Sequence, residues 1–326
     1  MKPVWIALVA LAAGCASIAT VAAQSFPAHK VTITAPFPPG GPSDATARVI
    51  QPELERIFKQ TVIVENVPGA SGSVGVQKFL DQPADGHALL LGTADNTVLA
   101  PLSVASARYD GSSVRLVTLL NRSYFILATR PGLKAGSVAD LVALAKAPGS
   151  KGLTFASWGI GSMPHLIGED FRLRTGASML HVPYRGMAPM VVDLMGETVD
   201  IAFLPLAGNV PELLASNQIK ALAVTSAQRL DTLKAVPTLT ETGTAGNFEY
   251  SIWPGVFVSP KTPDAVAGTI NAAVAEVMKG AAFRKFVVES GSVIAEPMSL
   301  AEAATFYKAE IDKFQGIAKQ IQLQKQ

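Results

Sequence analysis

Short runs of apolar and β-branched residues alternate along the chain with longer stretches whose apolar positions recur at helical spacing. Such alternation is typical of parallel sheets connected by crossover helices, and it predicts an α/β fold. The predicted strands are Val31–Ala35, Val62–Glu65, Ala88–Gly92, Tyr124–Ala128, Leu153–Ala156, Ser178–Val182, Val199–Leu204, Lys220–Thr225 and Val256–Ser259. Helices are predicted from Ser43, Ser71, Ser137, Ser162, Met187, Asn209, Pro263 and Ser299.

The order of these elements repeats in two halves. Each half has a strand, a Gly-rich loop and a helix, then a strand ending in Val-Pro, then an apolar strand followed by small residues. Two lobes around a cleft explain the repeat, although any α/β protein alternates strands and helices. Ligands of open parallel sheets bind beyond the carboxyl ends of the strands. The loops expected to line the cleft are Phe37–Ser43, Gly92–Asn96, Ser157–Met163, Tyr184–Ala188 and Leu204–Gly208.

The chain is expected to pass between the lobes more than once. We expect lobe 1 to contain residues 24–118 and about 227–280, and lobe 2 to contain residues 119–226. The C-terminal helices at 281–326 are expected to pack back on lobe 2.

The N-terminus has the features of a secretory signal peptide. Lys2 precedes an apolar run from Pro3 to Ala13, and small residues end at Ala23. Residues 1–23 are therefore predicted to be removed on export to the periplasm. Lipoprotein processing at Cys15 is an alternative, but Leu11 lies one position too far away for the usual spacing. Cys15 is the only cysteine, so the mature chain is expected to have no thiol, which suits an oxidising compartment.

Charge gives no indication of a nucleic-acid or membrane-surface partner. The 27 Lys and Arg residues nearly balance the 25 Asp and Glu residues, and no basic run occurs. Low charge with many Gly and Pro residues is typical of a compact α/β protein with short, stiff loops.

A turn rich in proline and glycine, "PPGGPSD", joins the first strand to the first helix. Gly40 and Gly41 permit positive φ and leave no Cβ against a ligand, while the prolines lower the entropy of the open loop. Ser43 or Asp44 can cap the helix, whose amino terminus offers unpaired N–H groups and partial positive charge. This combination suits a carboxylate, although a stiff turn is the simpler interpretation of the loop alone.

A second Gly-rich loop, within "ASWGIGSMPHLIGEDF", supports a binding role for both loops. Ser162 can cap the next helix, and Pro164 suits its first turn. Each lobe would then point the amino terminus of a helix into the same crevice. A ligand with two polar ends can bridge these two helix termini. Neither loop is a nucleotide motif, because GxxxxGK[ST] is absent and Pro164 replaces the third glycine of GxGxxG.

No pattern of catalytic or metal-binding residues is evident. The histidines are His29, His87, His165 and His181, without HxxxH spacing, and the chain has no GxSxG elbow. We therefore predict no catalytic residues, no metal and no cofactor. A serine–histidine pair assembled in space, for example Ser157 with His181, remains an alternative.

Several stretches together resemble the Bug-type extracytoplasmic solute receptors, which are the substrate-binding subunits of tripartite tricarboxylate transporters. They include "APFPPGGPSDATAR", "GASGSVG", "PADGHALLLG", "GIGSMPHLIGEDF", "HVPYRG", "VDIAF" and "WPGVFVSPKTP". The resemblance covers nearly the whole mature chain. It implies a type II periplasmic-binding-protein fold with two crossovers and a cleft that closes on a small carboxylate. It also implies that backbone amides, waters and hydroxyls of the Gly-rich loops hold the ligand.

The chain departs from the family pattern at several loop positions. Ser73 stands where the family often has Asn, and Trp158 and Ile160 add bulk to a loop that usually has small residues. Asp95 occupies a loop that commonly reads Ser/Thr-Gly-Thr. An acid there disfavours a second carboxylate on the ligand unless it pairs with an amino or hydroxyl group, so a monocarboxylate is as consistent as a di- or tricarboxylate.

These observations predict a periplasmic receptor that captures a small organic carboxylate by hinge closure. The expected partners are the permease subunits of a tripartite tricarboxylate transporter, with a sensor kinase as an alternative, and the protein is expected to be a monomer. A secreted enzyme that uses the cleft is the rival from another class. The predicted ligand-binding residues are Phe37, Pro39, Gly40, Gly41, Ser43, Ser73, Thr93, Asp95, Asn96, Ser157, Trp158, Gly159, Gly161, Ser162, Tyr184 and Pro205.

Overall fold

The structure is a computed structural model that describes residues 26–40, 42–184 and 186–325. The predicted signal peptide, with Cys15, and the predicted ligand residue Gly41 lie outside the described residues. In the part of the chain that is described, no helix combines the length and the apolar character needed to cross a membrane.

A five-stranded sheet forms the first lobe. Its strands are β1 (Val31–Ala35), β2 (Val62–Asn66), β3 (Ala88–Thr93), β4 (Arg115–Leu119) and β11 (Pro254–Val258), in the order β2-β1-β3-β11-β4. β1 pairs in parallel with β2 and β3, whereas β11 is antiparallel to β3 and β4. Helices α1 (Pro42–Phe58), α2 (Ser73–Leu80) and α8 (Asp264–Lys279) contact this sheet, as does the final helix described below, and the short α3 (Ala100–Ser103) follows β3.

A seven-stranded sheet forms the second lobe around one long central strand, β5 (Asn121–Thr129). Its other strands are β6 (Leu153–Ser157), β7 (Met179–Pro183), β8 (Ile201–Pro205), β9 (Lys220–Val224), β10 (Ser251–Ile252) and β12 (Val293–Ile294). β6 is parallel to β7 and β8, while β8, β9, β10 and β12 all pair antiparallel with β5. The helices between these strands are α4 (Val138–Lys146), α5 (Met163–Thr175), α6 (Met187–Met195) and α7 (Val210–Ala215), and α9 (Ala281–Glu289) precedes β12.

Two of the passages between the sheets, here called the crossovers, consist of a single residue each, and a third leads from β11 through α8 and α9 to β12. Leu120 links β4 to β5, and Trp253 links β10 to β11. Both residues are fully buried, and the Leu120 amide donates to the Pro254 carbonyl at 3.0 Å, which ties the two crossovers together. The predicted α/β class with two sheets and two crossovers is confirmed, although the sequence pattern missed β4, β10 and β12 as strands.

The sheets place the return to the first lobe later in the chain than the predicted position near residue 227. Residues up to Ile252 stay with the second sheet because the Tyr250 amide donates to the Thr225 carbonyl at 3.0 Å. The Phe248 ring also stacks on Phe203 of β8 at 6.0 Å. The final helix, α10 (Leu300–Gln320), contacts both β4 and α5, so it packs against elements of both lobes.

The position of α5 on β6 depends on a glycine at the helix–sheet contact. A Cβ placed on Gly168 would lie 2.3 Å from Cε2 of the buried Phe155. The absence of a side chain therefore lets α5 approach the sheet closely, and this approach sets where its amino terminus lies relative to the cleft.

We expect Gly168→Ala to destabilise the protein by about 1–3 kcal/mol, because the added methyl group overpacks the Phe155 contact. Gly268→Ala in α8 is the matched control, since its Cβ would meet nothing within 4 Å and alanine favours helix by roughly 0.5–1 kcal/mol. Urea denaturation midpoints measure both variants. Equal gains in stability would contradict the role of Gly168.

Candidate functional site

Loops from both sheets enclose a cavity of about 170 Å³ at the carboxyl ends of β1, β3 and β6. We call it the Trp158 cavity. Its first-lobe lining residues are Phe37, Ser71, Asp95, Ala100 and Ser103. Its second-lobe lining residues are Trp158, Gly159, Ile160, Gly161 and Ser162. Phe37 of the first Gly-rich loop therefore lies at the same cavity as residues 158–162 of the second, while the binding role of both loops stays a prediction.

A second cavity of about 390 Å³ adjoins the crossovers, and we call it the hinge cavity. The β1 and β3 loops contribute to both cavities, since Phe37 and Asp95 line the Trp158 cavity while Gly40 and Thr93 line the hinge cavity. The hinge cavity is lined by Gly40, Ser43, Ala45, Thr46, Thr93, Asn121, Ser123, Pro205, Ala207, Gly208, Ile252, Pro254, Phe286, Ser290 and Ser292. Among the described residues, neither lining contains a basic side chain, and Asp95 is the one acid.

The first loop is anchored by Asp44 at the start of α1. Asp44 Oδ2 accepts from the Gly40 amide at 2.9 Å and from Arg48 Nε at 3.0 Å. The hydrogen bond from Arg48, together with that from Gly40, lowers the pKa of Asp44 to about 2. Asp44 is therefore ionised at neutral pH and is already engaged by protein donors. Gly40 has φ of +81° and no atom within 4 Å of a built Cβ, so the loop presents open main chain here.

The second loop is held by hydroxyl groups that fold back on its own backbone. The Ser157 hydroxyl contacts both polar main-chain atoms of Gly159, at 3.2 Å for N and 3.0 Å for O. Ser162 occupies the N-cap position of α5 as expected, but its hydroxyl donates to the Gly159 carbonyl at 2.6 Å instead of capping the helix. These hydroxyl groups fix the shape of the loop, and of the two serines only Ser162 also lines the cavity.

Two stacked histidines lie beneath this loop. His165 Nδ1 accepts from the Gly161 amide at 3.0 Å, and the His165 and His181 rings stack at 4.0 Å. Burial lowers the pKa of His165, and burial together with the neighbouring His165 lowers the pKa of His181 to about 3. Both imidazoles are therefore neutral at pH 7, which leaves a ring nitrogen free to accept the Gly161 amide.

The serine–histidine pair that the sequence left open does assemble. Ser157 Oγ lies 2.7 Å from His181 Nε2. However, Ser157 is fully buried, and an imidazole with a pKa of about 3 is a weak base at neutral pH. The pair is arranged to support the loop, and its serine does not face the cavity.

Asp95 is the acid that faces the Trp158 cavity. It begins a π-helical turn, Asp95–Leu99, directly after β3. Its Oδ1 accepts from the Met163 amide, the first residue of α5, at 3.4 Å. Burial raises the pKa of Asp95 to about 6. The amino terminus of α5 thus faces a carboxylate that belongs to the protein itself.

The remaining predicted ligand residues do not line the Trp158 cavity. Asn96 is fully buried, and its side-chain amide exchanges two 3.2 Å hydrogen bonds with Thr93. Ser73 is buried in the first turn of α2, and the Tyr184 hydroxyl donates to Asp193 at 2.7 Å. Pro39 lines neither cavity, Ser43, Thr93 and Pro205 line the hinge cavity, and Gly41 lies outside the described residues.

Four residues that line the Trp158 cavity are absent from the predicted ligand-binding set: Ser71, Ala100, Ser103 and Ile160, the last of which lies within the predicted loop Ser157–Met163. Ser71 lies in the "GASGSVG" loop, which carried the family resemblance and so offered a signal. Ala100 and Ser103 follow the π-helical turn and reach the cavity through α3. A turn of this type has no recognisable sequence signature, so their position could not be inferred.

One described cluster has the composition of a metal site, with ligand atoms of His29, Asp85 and His87 within 4.8 Å of one another. His87 Nε2 accepts from the Ala28 amide at 3.0 Å, so the ring proton is on Nδ1, which lies 3.1 Å from Asp85 Oδ1. The His29 and His87 rings also stack at 3.6 Å. His87 Nε2 is therefore already engaged by a backbone amide, and the cluster lies on the first lobe away from the cleft.

Comparisons with known proteins bear on the family and the fold of this chain. The model of the tripartite tricarboxylate transporter family receptor matches residues 46–323. BugT of Bordetella pertussis (strain Tohama I) is 33% identical over 313 residues, which cover 93% of this chain and 92% of BugT. A solved structure of R. palustris Rpa4515 with adipate is 30% identical with a TM-score of 0.74, covering 90% of this chain and 97% of that one.

The periplasmic binding protein BugD is also similar, at 26% identity and a TM-score of 0.73, over 92% of this chain and 100% of BugD. The predicted two-lobed fold of a periplasmic binding protein is confirmed by these structures.

The stacked histidines should make the protein sensitive to acid. The pKa of His181 is about 3 in the folded protein and about 6.5 in an unfolded chain. Between these values only the unfolded chain binds the proton, so stability falls as the pH is lowered from about 6.5, by roughly 1.4 kcal/mol per pH unit for each such proton.

We expect His181→Gln to reduce this loss of stability, measured by urea denaturation from pH 7 to pH 4. His29→Gln, at an exposed histidine, is the control and should behave as wild type. An unchanged acid response in His181→Gln would refute the assignment.

Proposed function

Because this chain belongs to the tripartite tricarboxylate transporter receptor family, we propose that its cleft captures a small organic carboxylate outside the cytoplasm. The family predicted from the sequence motifs is confirmed, and it is a family of extracytoplasmic solute receptors. A relative that is 30% identical has adipate bound in its solved structure, which supports a carboxylate as the ligand here.

The observation that carries the proposal is the chemistry of the two cavity linings. Among the described residues they offer main-chain groups, hydroxyls, one amide and the Asp95 carboxylate, with no basic side chain. Main-chain N–H groups at loops and helix starts bind carboxylates without an ion pair. Such a site holds its ligand reversibly, as a receptor that must later release its cargo requires.

Contact between the lobes supports capture by hinge closure. Gly161 of the second lobe approaches Ser103 of the first so closely that a Cβ on Gly161 would lie 2.2 Å from the Ser103 Cβ. Both residues line the Trp158 cavity. The lobes therefore meet beside the proposed ligand, and only a glycine permits this approach.

We also propose that the protein is exported through its N-terminal signal peptide. Its closed form then docks on a membrane permease. We expect the receptor to act as a monomer and to have no cofactor. Presentation of the ligand to a sensor kinase is the alternative role, and deletion of the permease separates the two, since only the transport role requires it.

An enzyme in the same cleft is the rival function. Its best support is the 2.7 Å contact between Ser157 and His181, but the buried serine and weak base argue against it. We expect incubation with candidate acids to return them unchanged.

A thermal-shift screen tests the ligand class directly. Succinate, adipate, butyrate and hexanoate are compared with adipamide, which has the shape of adipate without its charges. We expect at least one acid to raise the melting temperature and adipamide to have no effect. An acid at 100 times its dissociation constant adds about 2.7 kcal/mol to stability. No shift with any organic acid would overturn the proposal.

Gly161→Ala tests whether contact between the lobes is needed for binding. The added Cβ clashes with Ser103, so we expect the affinity for the acid with the largest thermal shift to fall by about tenfold or more, which is ~1.4 kcal/mol. Gly149→Ala is a matched control, because Gly149 has φ of +78° against +77° for Gly161 and meets nothing within 4 Å.

The control therefore carries the same backbone strain without the clash. Calorimetric titration should show wild-type affinity for Gly149→Ala and recovery in the double variant Gly161→Ala/Ser103→Gly. Wild-type affinity in Gly161→Ala would show that this contact is not part of ligand capture.

A further inference from the structure

We propose that Asp95 makes the cleft select monocarboxylic acids whose other end carries a hydrogen-bond donor, an ammonium or hydroxyl group, in place of a second carboxylate. This inference rests on the proposed function and specifies the ligand class of the same cleft.

Asp95 is placed to meet a ligand rather than to hold the fold together. It lines the Trp158 cavity together with Phe37 and Ser71 of its own lobe and Gly159 to Ser162 of the other. Its Oδ1 has one long hydrogen bond, 3.4 Å from the Met163 amide. Within the described part of the chain, Oδ2 has no hydrogen-bond donor from the protein. One carboxylate oxygen is therefore available to a ligand in the cavity.

No basic side chain pairs with Asp95 among the ion pairs of the described residues. Asp44, by contrast, pairs with Arg48 at 3.0 Å. Burial accordingly raises the pKa of Asp95 to about 6, and at neutral pH most of the population is ionised. A carboxylate removed from water without a partner is costly, and a ligand donor offsets that cost.

The same carboxylate alters the role of α5. The amino terminus of a helix is a ready site for an anion, and α5 is 13 residues long. Here, however, the first amide of α5 already faces Asp95. A ligand carboxylate at this end would meet a like charge across a small cavity, which is unfavourable. The ligand carboxylate is therefore directed to the loop that begins at Phe37, and its other end faces Asp95.

Matched series of acids test this selectivity. One series is adipate, 6-aminohexanoate and 6-hydroxyhexanoate, and the other is succinate, 4-aminobutyrate and 4-hydroxybutyrate. Within a series the length is constant and only the far end changes. By calorimetric titration of the full mature chain at pH 7.5, we expect a donor-ended acid to bind at least about tenfold more tightly than the dicarboxylate of equal length.

Asp95→Asn removes the charge and keeps the shape of the side chain. We expect it to lower the affinity for the donor-ended acid and raise that for the dicarboxylate, so that the ratio falls by about tenfold or more. Asp95→Ser is the second variant if the first does not fold. Asp231→Asn controls for the change in net charge, since its side chain is 97% exposed, and it should keep the wild-type ratio.

The outcomes separate this inference from the proposed function. Tighter binding of the dicarboxylate by wild type, or a ratio unchanged in Asp95→Asn, overturns the inference and leaves carboxylate capture intact. If none of these acids and no acid of the thermal-shift screen binds, both proposals fail.

Discussion

The shape of the cleft depends on hydrogen bonds that the loop Ser157–Ser162 makes to groups beneath it. His165 accepts the Gly161 amide, and Ser157 contacts both His181 and Gly159. A buried amide without an acceptor costs free energy, so neutral imidazoles under the loop allow an almost bare main chain to keep one conformation. The low pKa of these histidines is thus a condition for the loop and not a sign of acid–base chemistry.

A loop without side chains has two consequences for recognition. It lets the lobes approach as closely as Gly161 and Ser103 do, and it leaves the cavity with little chemistry of its own. Selectivity then rests on the few polar side chains that remain. Asp44 and Asp95 illustrate the difference, because Arg48 and Gly40 hold the pKa of Asp44 at about 2 whereas burial without a basic partner raises that of Asp95 to about 6. The first acid supports a loop, and the second is left for the ligand.

Sequence pattern predicted the parallel core of both sheets well, because strands such as Val31–Ala35 are short runs of apolar and β-branched residues between turn residues. It missed β4 and β10, which are strands because of neighbours distant in sequence, at the crossovers. The same distinction applies to the cleft. Gly159 and Gly161 are enough to predict a loop with few side chains. Whether a nearby hydroxyl or amide group faces the ligand depends on local hydrogen bonds, which the sequence does not show. Thr93 and Asn96 satisfy each other, and Asn96 is thereby withdrawn from the cleft.

The crossovers also limit how the lobes can move. Leu120 donates to Pro254 and accepts from the Ala295 amide at 3.1 Å, so both crossovers and the segment after β12 form one hydrogen-bonded ribbon. Trp253 is fully buried, and its indole N–H donates to Glu310 of α10 at 2.9 Å. Breaking this ribbon would expose a large aromatic ring and unpaired amides, which is far more costly than a small twist of the paired strands. A change of angle between the lobes therefore has to come from twisting at Leu120 and Trp253, with α10 packed against both lobes throughout.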